Sequence, residues 1–282
     1  MKQGLILEGG AMRGLFTAGV MDVLMEAGIR FDGIVGVSAG AAFGCNYKSR
    51  QIGRVLRYNT TYCKDWRYCS FRSLIQTGDL YGAQFCYHTL PEELDLFDDA
   101  AFQADPTEFY AVCTDVKSGQ PVYHKVESAQ YGDLEWIRAS ASMPLVSRVV
   151  EIDGQGLLDG GISDSIPLKF FEGQGYEQNV VILTQPRGYV KKKNSLQWLM
   201  KLLLKQYPKV LEAMEQRHIV YNETLQYILQ KEQEGSVFVI APEEKLDIGR
   251  TEKDPEKLRQ VYALGRKATE ARLQELKTFL KQ

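Results

Sequence analysis

The first 40 residues of the chain restrict the folds that it can adopt. The apolar run Gly4–Leu7 predicts a strand, the apolar face of residues 15–27 predicts a helix, and Ile34–Val37 predicts a second, buried strand. A glycine-rich loop, residues 8–14, joins the first strand to the helix. A strand–helix–strand opening is a βαβ unit, which indicates an α/β fold with a mainly parallel sheet.

The second strand ends at Ser38, which Gly36 and Gly40 flank in the pattern Gly-x-Ser-x-Gly. At a strand-to-helix turn this pattern is a nucleophile elbow. A serine on so tight a turn has strained backbone angles, and glycine on both sides removes the Cβ atoms that would collide. The pattern is short enough to arise by chance, so the strand before it and the helix after it carry the inference.

The glycine-rich loop has three possible meanings. A phosphate-binding loop would have a lysine after Gly14, and a dinucleotide fingerprint needs a spacing that Gly9, Gly10 and Gly14 lack. The third meaning is an oxyanion hole, because glycines let backbone N–H groups converge at a helix N-terminus. If the first two strands are neighbours, this loop and Ser38 lie at the same edge of the sheet, with the positive charge of Arg13 beside them.

Composition narrows the class of protein. The 282 residues, 44% hydrophobic and 25% charged, are enough for one large core or two modest ones. A net charge of −2 gives no sign of nucleic-acid binding. We see no signal-peptide core and no apolar stretch long enough to span a bilayer. With no CxxC pattern, we interpret the five cysteines as reduced thiols of a cytoplasmic protein: Cys45, Cys63, Cys69, Cys86 and Cys113.

Residues 50–104 are rich in aromatic side chains with scattered charges, and we expect helices and loops there, over the mouth of the site. Asp95, Asp98 and Asp99 lack the spacing of a calcium loop, so we predict a solvated acidic face and no metal site. Beyond residue 104, alternating and apolar patterns predict strands at 108–114, 120–125, 149–152, 156–158 and 179–184, and a helix at 134–141.

A serine nucleophile needs a base to take its proton, and histidine is the usual one. The order Ser38, Asp159, His218 formally fits a hydrolase triad. However, His218 falls in the middle of a predicted helix, where we interpret it as an exposed or capping histidine. His88 and His124 are the other two histidines of the chain.

The alternative base is a carboxylate. Asp159 ends an apolar strand and precedes Gly160 and Gly161, which permits close approach of another backbone. An aspartate in a dry site can accept the serine proton directly. Two further aspartates compete, but the turn position of Asp153 and a local capping role of Asp164 explain them.

These motifs together resemble the patatin-like phospholipase family. The resemblance lies in Gly-Gly-Ala-Met-Arg-Gly (9–14), Gly-Val-Ser-Ala-Gly (36–40) and Asp-Gly-Gly (159–161), in that family's order and at its spacing. Residues 138–144 look like the family's segment ahead of the aspartate. The resemblance covers roughly the first two-thirds of the chain, and residues 183–189 and the helix from Asp254-Pro255 are similar to a bacterial branch.

The resemblance implies a patatin-like, three-layer α/β/α fold and a lipid acyl hydrolase that uses neither a metal nor a cofactor. It implies Ser38 as nucleophile, Asp159 as its base and the backbone N–H groups of Gly9, Gly10 and Ala11 as the oxyanion hole. Ala11 stands where the family usually has a third glycine. The rival functions are an esterase or thioesterase for small soluble acyl compounds and a non-catalytic lipid-binding protein, whereas nucleotide binding fails on the glycine spacing.

The C-terminal part of the chain is different in character. We predict a catalytic core at 1–186 and a mostly helical extension at 187–282 with one strand, 236–241, packed on the same core. Residues 179–211 lack acidic side chains and mix lysines with leucines and Trp198. We predict a basic helix there that continues into a long helix through Ile228, and a final helix from Asp254-Pro255 to Leu280. Residues 187–209 either cover the core with snorkelling lysines or make peripheral contact with the inner face of a membrane.

Overall fold

The computed structural model of the protein describes residues 1–128, 131–193 and 197–281. Eight strands form one sheet in the order β5-β6-β3-β2-β1-β7-β8, with β4 paired to β3. The strands are β1 (Lys2–Leu7), β2 (Gly33–Val37), β3 (Glu108–Asp115), β4 (Pro121–Lys125), β5 (Val150–Ile152), β6 (Gln155–Asp159), β7 (Tyr176–Ile182) and β8 (Val237–Ile240).

The helices of the described residues follow in chain order: α1 (Gly14–Glu26), α2 (Ala39–Lys48), α3 (Arg54–Tyr62), α4 (Phe71–Thr77), α5 (Asp99–Ala104), α6 (Tyr131–Ser140), α7 (Leu168–Gly173), α8 (Gln197–Leu203), α9 (Pro208–Gln233), α10 (Pro255–Glu270) and α11 (Leu273–Leu280). A π-helical stretch covers Phe85–Leu94, and single 3₁₀ turns cover Ala11–Arg13 and Gly160–Ile162.

The sheet is mainly parallel and is covered on both faces. Strands β8, β7, β1, β2 and β3 run parallel, and β4, β5 and β6 join with antiparallel pairing. Along β1, Leu5 and Leu7 belong to one core and Ile6 to another, because successive side chains point to opposite faces. The first core lies under α1, α2 and α10, and the second lies under α7 and α9. The predicted three-layer α/β/α fold is therefore confirmed.

The C-terminal residues pack on this sheet and its helices. Strand β8 extends the parallel sheet beside β7 and lies within the predicted range 236–241. Helix α10 crosses α1 so closely that a Cβ atom on Gly265 would lie 2.0 Å from the carbonyl oxygen of Phe16, and one on Gly19 would lie 2.1 Å from that of Tyr262. Two glycines therefore permit the contact of these helices.

Two predicted helices are each divided in the structure, so both predictions of continuous helices were wrong. The basic stretch forms α8, and α9 starts afresh at Pro208, because proline disfavours a helical conformation in the residue before it. The final helix breaks at Arg272, whose guanidinium donates to the carbonyl oxygen of Val239 (2.8 Å) and stacks over the ring of Phe238. This inward contact holds the chain out of helical geometry at that position.

The segment at 50–104 forms helices and loops, as predicted, but only part of its acidic group is solvated: Asp98 is exposed, whereas Asp95 and Asp99 are partly buried. The carboxylate of Asp95 is only 9% exposed and pairs with the guanidinium groups of Arg54 (3.2 Å) and Arg57 (2.7 Å). The carboxylate of Asp98 caps α5, and that of Asp99 accepts from the Gln103 amide. The expectation of a solvated face was wrong for Asp95, because two arginines of α3 hold it against the protein.

Part of the proposed membrane-contact segment, residues 194–196, lies outside the described residues. Lys201 pairs with Glu215 of α9 (2.9 Å) and Lys209 pairs with Glu212 (2.8 Å). Among the residues that the structure describes, no helix combines the length and the apolarity needed to cross a membrane.

Candidate active site

Ser38 occupies the sharp turn between β2 and α2. Its backbone angles, φ 56° and ψ −122°, are strained for a residue that carries a side chain. The flanking glycines are sterically required, since a Cβ atom on Gly36 would lie 2.5 Å from the amide nitrogen of Ala41, and one on Gly40 would lie 2.3 Å from the carbonyl oxygen of Leu7. The turn is therefore built as the Gly-x-Ser-x-Gly pattern predicts.

The register of the sheet brings Asp159 beside Ser38. Val37, the last residue of β2, pairs with Val112 of β3, and Asp159 pairs with the next residue of β3, Cys113. Strand β4 pairs with both of these β3 residues, so β2 and β6 must share the opposite edge of β3. Strand β6 thus continues along β3 from the point where β2 ends.

The segment that precedes Asp159 also bridges the two residues. The backbone N–H of Ser38 donates to the hydroxyl of Ser140 (3.0 Å), and the backbone N–H of Asp159 donates to the carbonyl oxygen of Ser142 (2.8 Å). Gly160, which follows Asp159, has no room for a side chain, because a Cβ atom there would lie 2.1 Å from the carbonyl oxygen of Val112. The segment 140–142 and the close packing of Gly160 therefore hold the Asp159 backbone next to the turn at Ser38.

The Asp159 carboxylate is almost fully buried and only partly satisfied. Its Oδ1 accepts from the backbone N–H of Gly161 (2.7 Å), whereas its buried Oδ2 has no hydrogen-bond partner in the described part of the chain. Burial raises the pKa of this carboxyl, and the Ser38 hydroxyl and the Arg217 guanidinium lower it by less. A carboxylate with a raised pKa and an available oxygen can accept a proton.

The glycine-rich loop lies against the same turn. A Cβ atom on Gly9 would lie 2.8 Å from that of Ser38, and one on Gly10 would lie 2.7 Å from the Thr184 hydroxyl. Within the described residues, the backbone N–H groups of Gly9, Gly10 and Ala11 donate no hydrogen bond. Ala11 has a φ of 50°, so alanine here adopts the left-handed conformation that glycine takes without strain.

Glu8 anchors this loop to the C-terminal part of the chain. Its buried carboxylate accepts from the backbone N–H of Thr184 (2.6 Å) and from the hydroxyl of Tyr221 on α9 (2.6 Å). The Thr184 hydroxyl in turn donates to the carbonyl oxygen of Gly9 (3.0 Å). The loop is therefore held in place from β7 and from α9.

Ser38 opens into a cavity of about 750 Å³. Most of its apolar wall comes from residues 58–97 and 134–146, which include Tyr58, Tyr68, Leu80, Tyr87, Leu90, Phe97, Leu134 and Ile137. Helices and loops of residues 50–104 thus form a wall of this cavity. Basic side chains of the C-terminal region line it as well: Lys191, Arg217 and Arg250, with Lys192 and Lys193.

None of the three histidines forms a hydrogen bond with Ser38 or Asp159 among the described residues. His218 is partly buried in the middle of α9 and lines the cavity, so the expectation of an exposed or capping histidine was wrong; the turn of α9 that carries it faces the site. His88 lies between Glu92 and Glu135, and His124 contacts Asp133 and stacks on Trp136.

The two competing aspartates have other partners. Asp153 lies in the β5–β6 turn with a φ of 51°. Asp164 accepts from the backbone N–H of Ile166 (3.3 Å), a local turn contact, and also from the hydroxyl of Tyr123 (2.8 Å). Neither is joined to Ser38 by a hydrogen bond in the part of the chain that the structure describes.

Sequence reasoning missed Glu8, Ser140, Lys191 and Arg217. Glu8 and Ser140 could have been found, since each stands inside a motif segment. Arg217 has no local signal, because it reaches the site only through the packing of α9 on the sheet. Lys191 lies in the basic stretch 187–209, but its place in the cavity depends on its contacts with Asn222 of α9.

Comparison with known proteins is consistent with this geometry. The chain matches the family model of patatin-like phospholipases over residues 5–171, and that of DUF6363, a domain of unknown function, over residues 207–281. The protein YjjU of Escherichia coli K12 is 33% identical over 189 residues, which are 64% of this chain and 52% of YjjU. The lysophospholipase nte1 of Aspergillus oryzae is 29% identical over 179 residues, which are 61% of this chain and 11% of nte1.

Among solved structures, VipD from Legionella pneumophila is similar with a TM-score of 0.47 at 11% identity, covering 97% of this chain and 67% of VipD. The family assignment rests on the sequence match at 5–171, which spans more than half of the chain's 282 residues and contains all three motifs. The chain belongs to the patatin-like phospholipase family.

Proposed function

We propose that the protein is a serine hydrolase that cleaves carboxylic ester bonds of lipids through a dyad of Ser38 and Asp159. One observation carries the proposal, the arrangement of Ser38 and Asp159. Ser38 has strained backbone angles and directly follows the β2 residue that pairs with β3, and Asp159 pairs with the next residue of β3. Asp159 is buried, and its Oδ2 has no hydrogen-bond partner in the described chain. The name of the fungal relative, a lysophospholipase, supports a lipid ester as substrate.

In the proposed reaction the Ser38 hydroxyl oxygen attacks the ester carbonyl carbon and its proton passes to Asp159. The backbone N–H groups of Gly9, Gly10 and Ala11 bind the negative charge that develops on the carbonyl oxygen. Collapse of this intermediate breaks the bond to the alcohol, which takes the proton from Asp159, and leaves an acyl-serine. Asp159 then takes a proton from a water molecule as the water oxygen attacks the acyl carbon. The bond between that carbon and the Ser38 oxygen breaks, the acid leaves, and Ser38 takes the proton back from Asp159.

The cavity supports a lipid over a small soluble acyl compound. Its volume of about 750 Å³ and its wall of aromatic and aliphatic side chains suit an acyl chain. An esterase or thioesterase for short acyl compounds would use the same residues, so the dependence of kcat/KM on chain length separates the two. Lipid binding without catalysis is the other alternative, and it predicts no covalent labelling of Ser38.

The experiment that tests the dyad is labelling with a fluorophosphonate ester, followed by hydrolysis assays. The probe should label the wild type and should not label Ser38→Ala. In Asp159→Asn the rate of ester hydrolysis should fall by a factor on the order of 10²–10⁴. Asp164→Asn is the matched control, because it removes a carboxylate bound to Tyr123 and should keep activity. Thermal unfolding would check that each variant is folded. Full activity in Asp159→Asn would exclude the proposed base.

We further propose peripheral membrane contact through residues 187–209. Lys192 and Lys193 are exposed at the rim of the cavity, which suits an anionic lipid surface. Replacement of both by glutamine should weaken sedimentation with vesicles that contain phosphatidylglycerol, and unchanged binding would refute this contact.

A further inference from the structure

The C-terminal region contributes a group of basic side chains to the Ser38 cavity, and the proposed reaction does not use them. Lys191 follows β7, Arg217 lies on α9, and Arg250 precedes α10; all three line the cavity. Arg13, from the glycine-rich loop, is close enough to Lys191 for their charges to interact. These four residues are called the cationic cluster below.

Lys191 is held in place by its own backbone and ring contacts. Its backbone N–H donates to the side-chain oxygen of Asn222 (2.8 Å), and its carbonyl oxygen accepts from the same amide (3.0 Å). Its Nζ lies 4.0 Å from the ring centroid of Tyr221, whose hydroxyl donates a hydrogen bond to the carboxylate of Glu8. The ammonium group therefore lies against an aromatic face, and in the described chain it forms no ion pair with a carboxylate.

Arg217 is also unpaired. Its buried Nε has no hydrogen-bond partner among the described residues, and its Nη2 would lie 3.1 Å from a Cβ atom placed on Gly161. It is therefore next to the Asp159 turn. Arg250 is exposed at the rim, where its carbonyl oxygen accepts from the hydroxyl of Tyr81 (2.7 Å).

The charges of this region do not balance. The cationic cluster carries four positive charges, and the carboxylates that interact with it are those of Glu8 and Asp159. Within the described residues, no member of the cluster forms an ion pair with a carboxylate within 4 Å. Arg250 is exposed and the other three side chains are partly buried. Because no carboxylate pairs with them, an anionic group that enters the cavity can form charge-assisted hydrogen bonds with the cluster.

The cavity has both an apolar and a cationic lining. Most of its apolar side chains come from residues 58–97 and 134–146, with Met12, Phe43, Tyr189, Met200 and Met214 in addition, and its cations without an ion pair come from residues 191–250. A ligand that fits both has an acyl chain and an anionic group in one molecule.

We propose that Lys191, Arg217 and Arg250 form a subsite for the phosphate of a phospholipid head group, with the acyl chain along the apolar wall. The inference rests on the proposed lipid ester hydrolysis and specifies its substrate as a phosphate-bearing lipid. Guanidinium and ammonium groups donate charge-assisted hydrogen bonds to phosphate oxygens. The subsite belongs to the C-terminal region, whereas Ser38 and Asp159 belong to the N-terminal part.

The test compares two substrates with the same acyl chain, 1-oleoyl-lysophosphatidylglycerol and neutral 1-oleoylglycerol. The variants are Lys191→Met, Arg250→Gln and the double variant, and Arg259→Gln is the control, because it removes an exposed arginine that pairs with Glu256 outside the cavity. The double variant should raise KM for the phosphate substrate about tenfold or more and leave that for oleoylglycerol within about twofold. Equal changes for both substrates, or no change, would overturn the subsite.

A binding measurement separates the failure of the subsite from the failure of the dyad. Calorimetry with dodecyl phosphate should show binding to Ser38→Ala, weakened about tenfold or more when Lys191→Met and Arg250→Gln are added. If the wild type hydrolyses neither substrate, the proposed function is refuted, but the binding measurement still tests whether the subsite exists. Equal binding with and without the two substitutions would overturn it. If inorganic phosphate at equal concentration displaces dodecyl phosphate, the site binds free phosphate, and its assignment to a lipid head group is refuted.

Discussion

Ser38 and Ala11, which both carry a Cβ atom, hold positive φ angles of 56° and 50° at the candidate active site. Such angles cost on the order of 1–3 kcal/mol each and persist only where surrounding contacts impose them. At Ser38 the constraint comes from the close packing of Gly36 and Gly40. At Ala11 the conformation turns the loop into the 3₁₀ turn that leads to α1.

The conformation of Ala11 can be tested with two substitutions. Ala11→Gly should keep ester hydrolysis, because glycine adopts positive φ without strain. Ala11→Val should lose on the order of 10²–10³ in kcat, since a β-branched residue disfavours this φ and would displace an N–H of the proposed oxyanion hole. Hydrolysis of a neutral ester measures both, and full activity of the valine variant would show that this loop conformation is not needed.

The protonation of Asp159 predicts a pH dependence. Burial raises the pKa of this carboxyl, and the proposed base must be ionised, so kcat/KM should fall as the pH is lowered through that pKa. Arg217 holds the pKa down, so Arg217→Gln should move the acid limb of the profile to higher pH. A neutral ester substrate gives the profile, with Arg259→Gln as control. An unmoved limb would contradict the electrostatic role of Arg217.

At this scale the sequence predicts residues whose neighbours form a motif. Ser38 and Asp159 were identified because glycines flank them at short spacing. Arg217 could not be identified, since its approach to Asp159 depends on how α9 packs across the sheet. Asp95 was misjudged for the same reason, because its partners on α3 lie about 40 positions earlier in the chain.

Among the secondary structure elements, α1 and α10 bring backbone atoms of the two parts of the chain into close contact. The glycines at this crossing face backbone atoms, which cannot rotate away as a side chain can. Strand and helix boundaries were largely predictable from apolar periodicity. The break between α10 and α11 was not, because no glycine or proline marks Arg272, which leaves the helix for a tertiary contact with β8.

Gly265→Ala should lower the free energy of unfolding by about 1–3 kcal/mol, because its Cβ would collide with the carbonyl of Phe16 and separate the helices. Gly173→Ala, at the end of α7 with open space around it, is the matched control and should leave stability unchanged or slightly higher. Urea unfolding measures both variants, and equal stabilities would mean that the crossing tolerates a wider separation.

For the molecule as a whole, the predicted division at residue 186 raises the question of independent folding. Removal of residues 187–282 would expose the edge of β7 and the face of α1 that α10 covers. The fragment 1–186 should therefore aggregate or remain unfolded. Removal of residues 281–282 alone is the control and should have no effect on solubility. A soluble fragment with a cooperative thermal transition would show that the core folds without the extension.

Strand β3 is the common neighbour of the strands that carry Ser38 and Asp159, and this has a consequence for heat inactivation. Backbone pairing of the strands sets the distance between Ser38 and Asp159, and side-chain packing in the helix layers does not. We expect that loosening on warming of an outer helix other than α9, which holds the glycine-rich loop through Tyr221 and Glu8, leaves both that pairing and the loop intact. Inactivation by heat should consequently coincide with loss of the sheet's infrared signal, and enzyme warmed to just below that point should regain full rate on cooling.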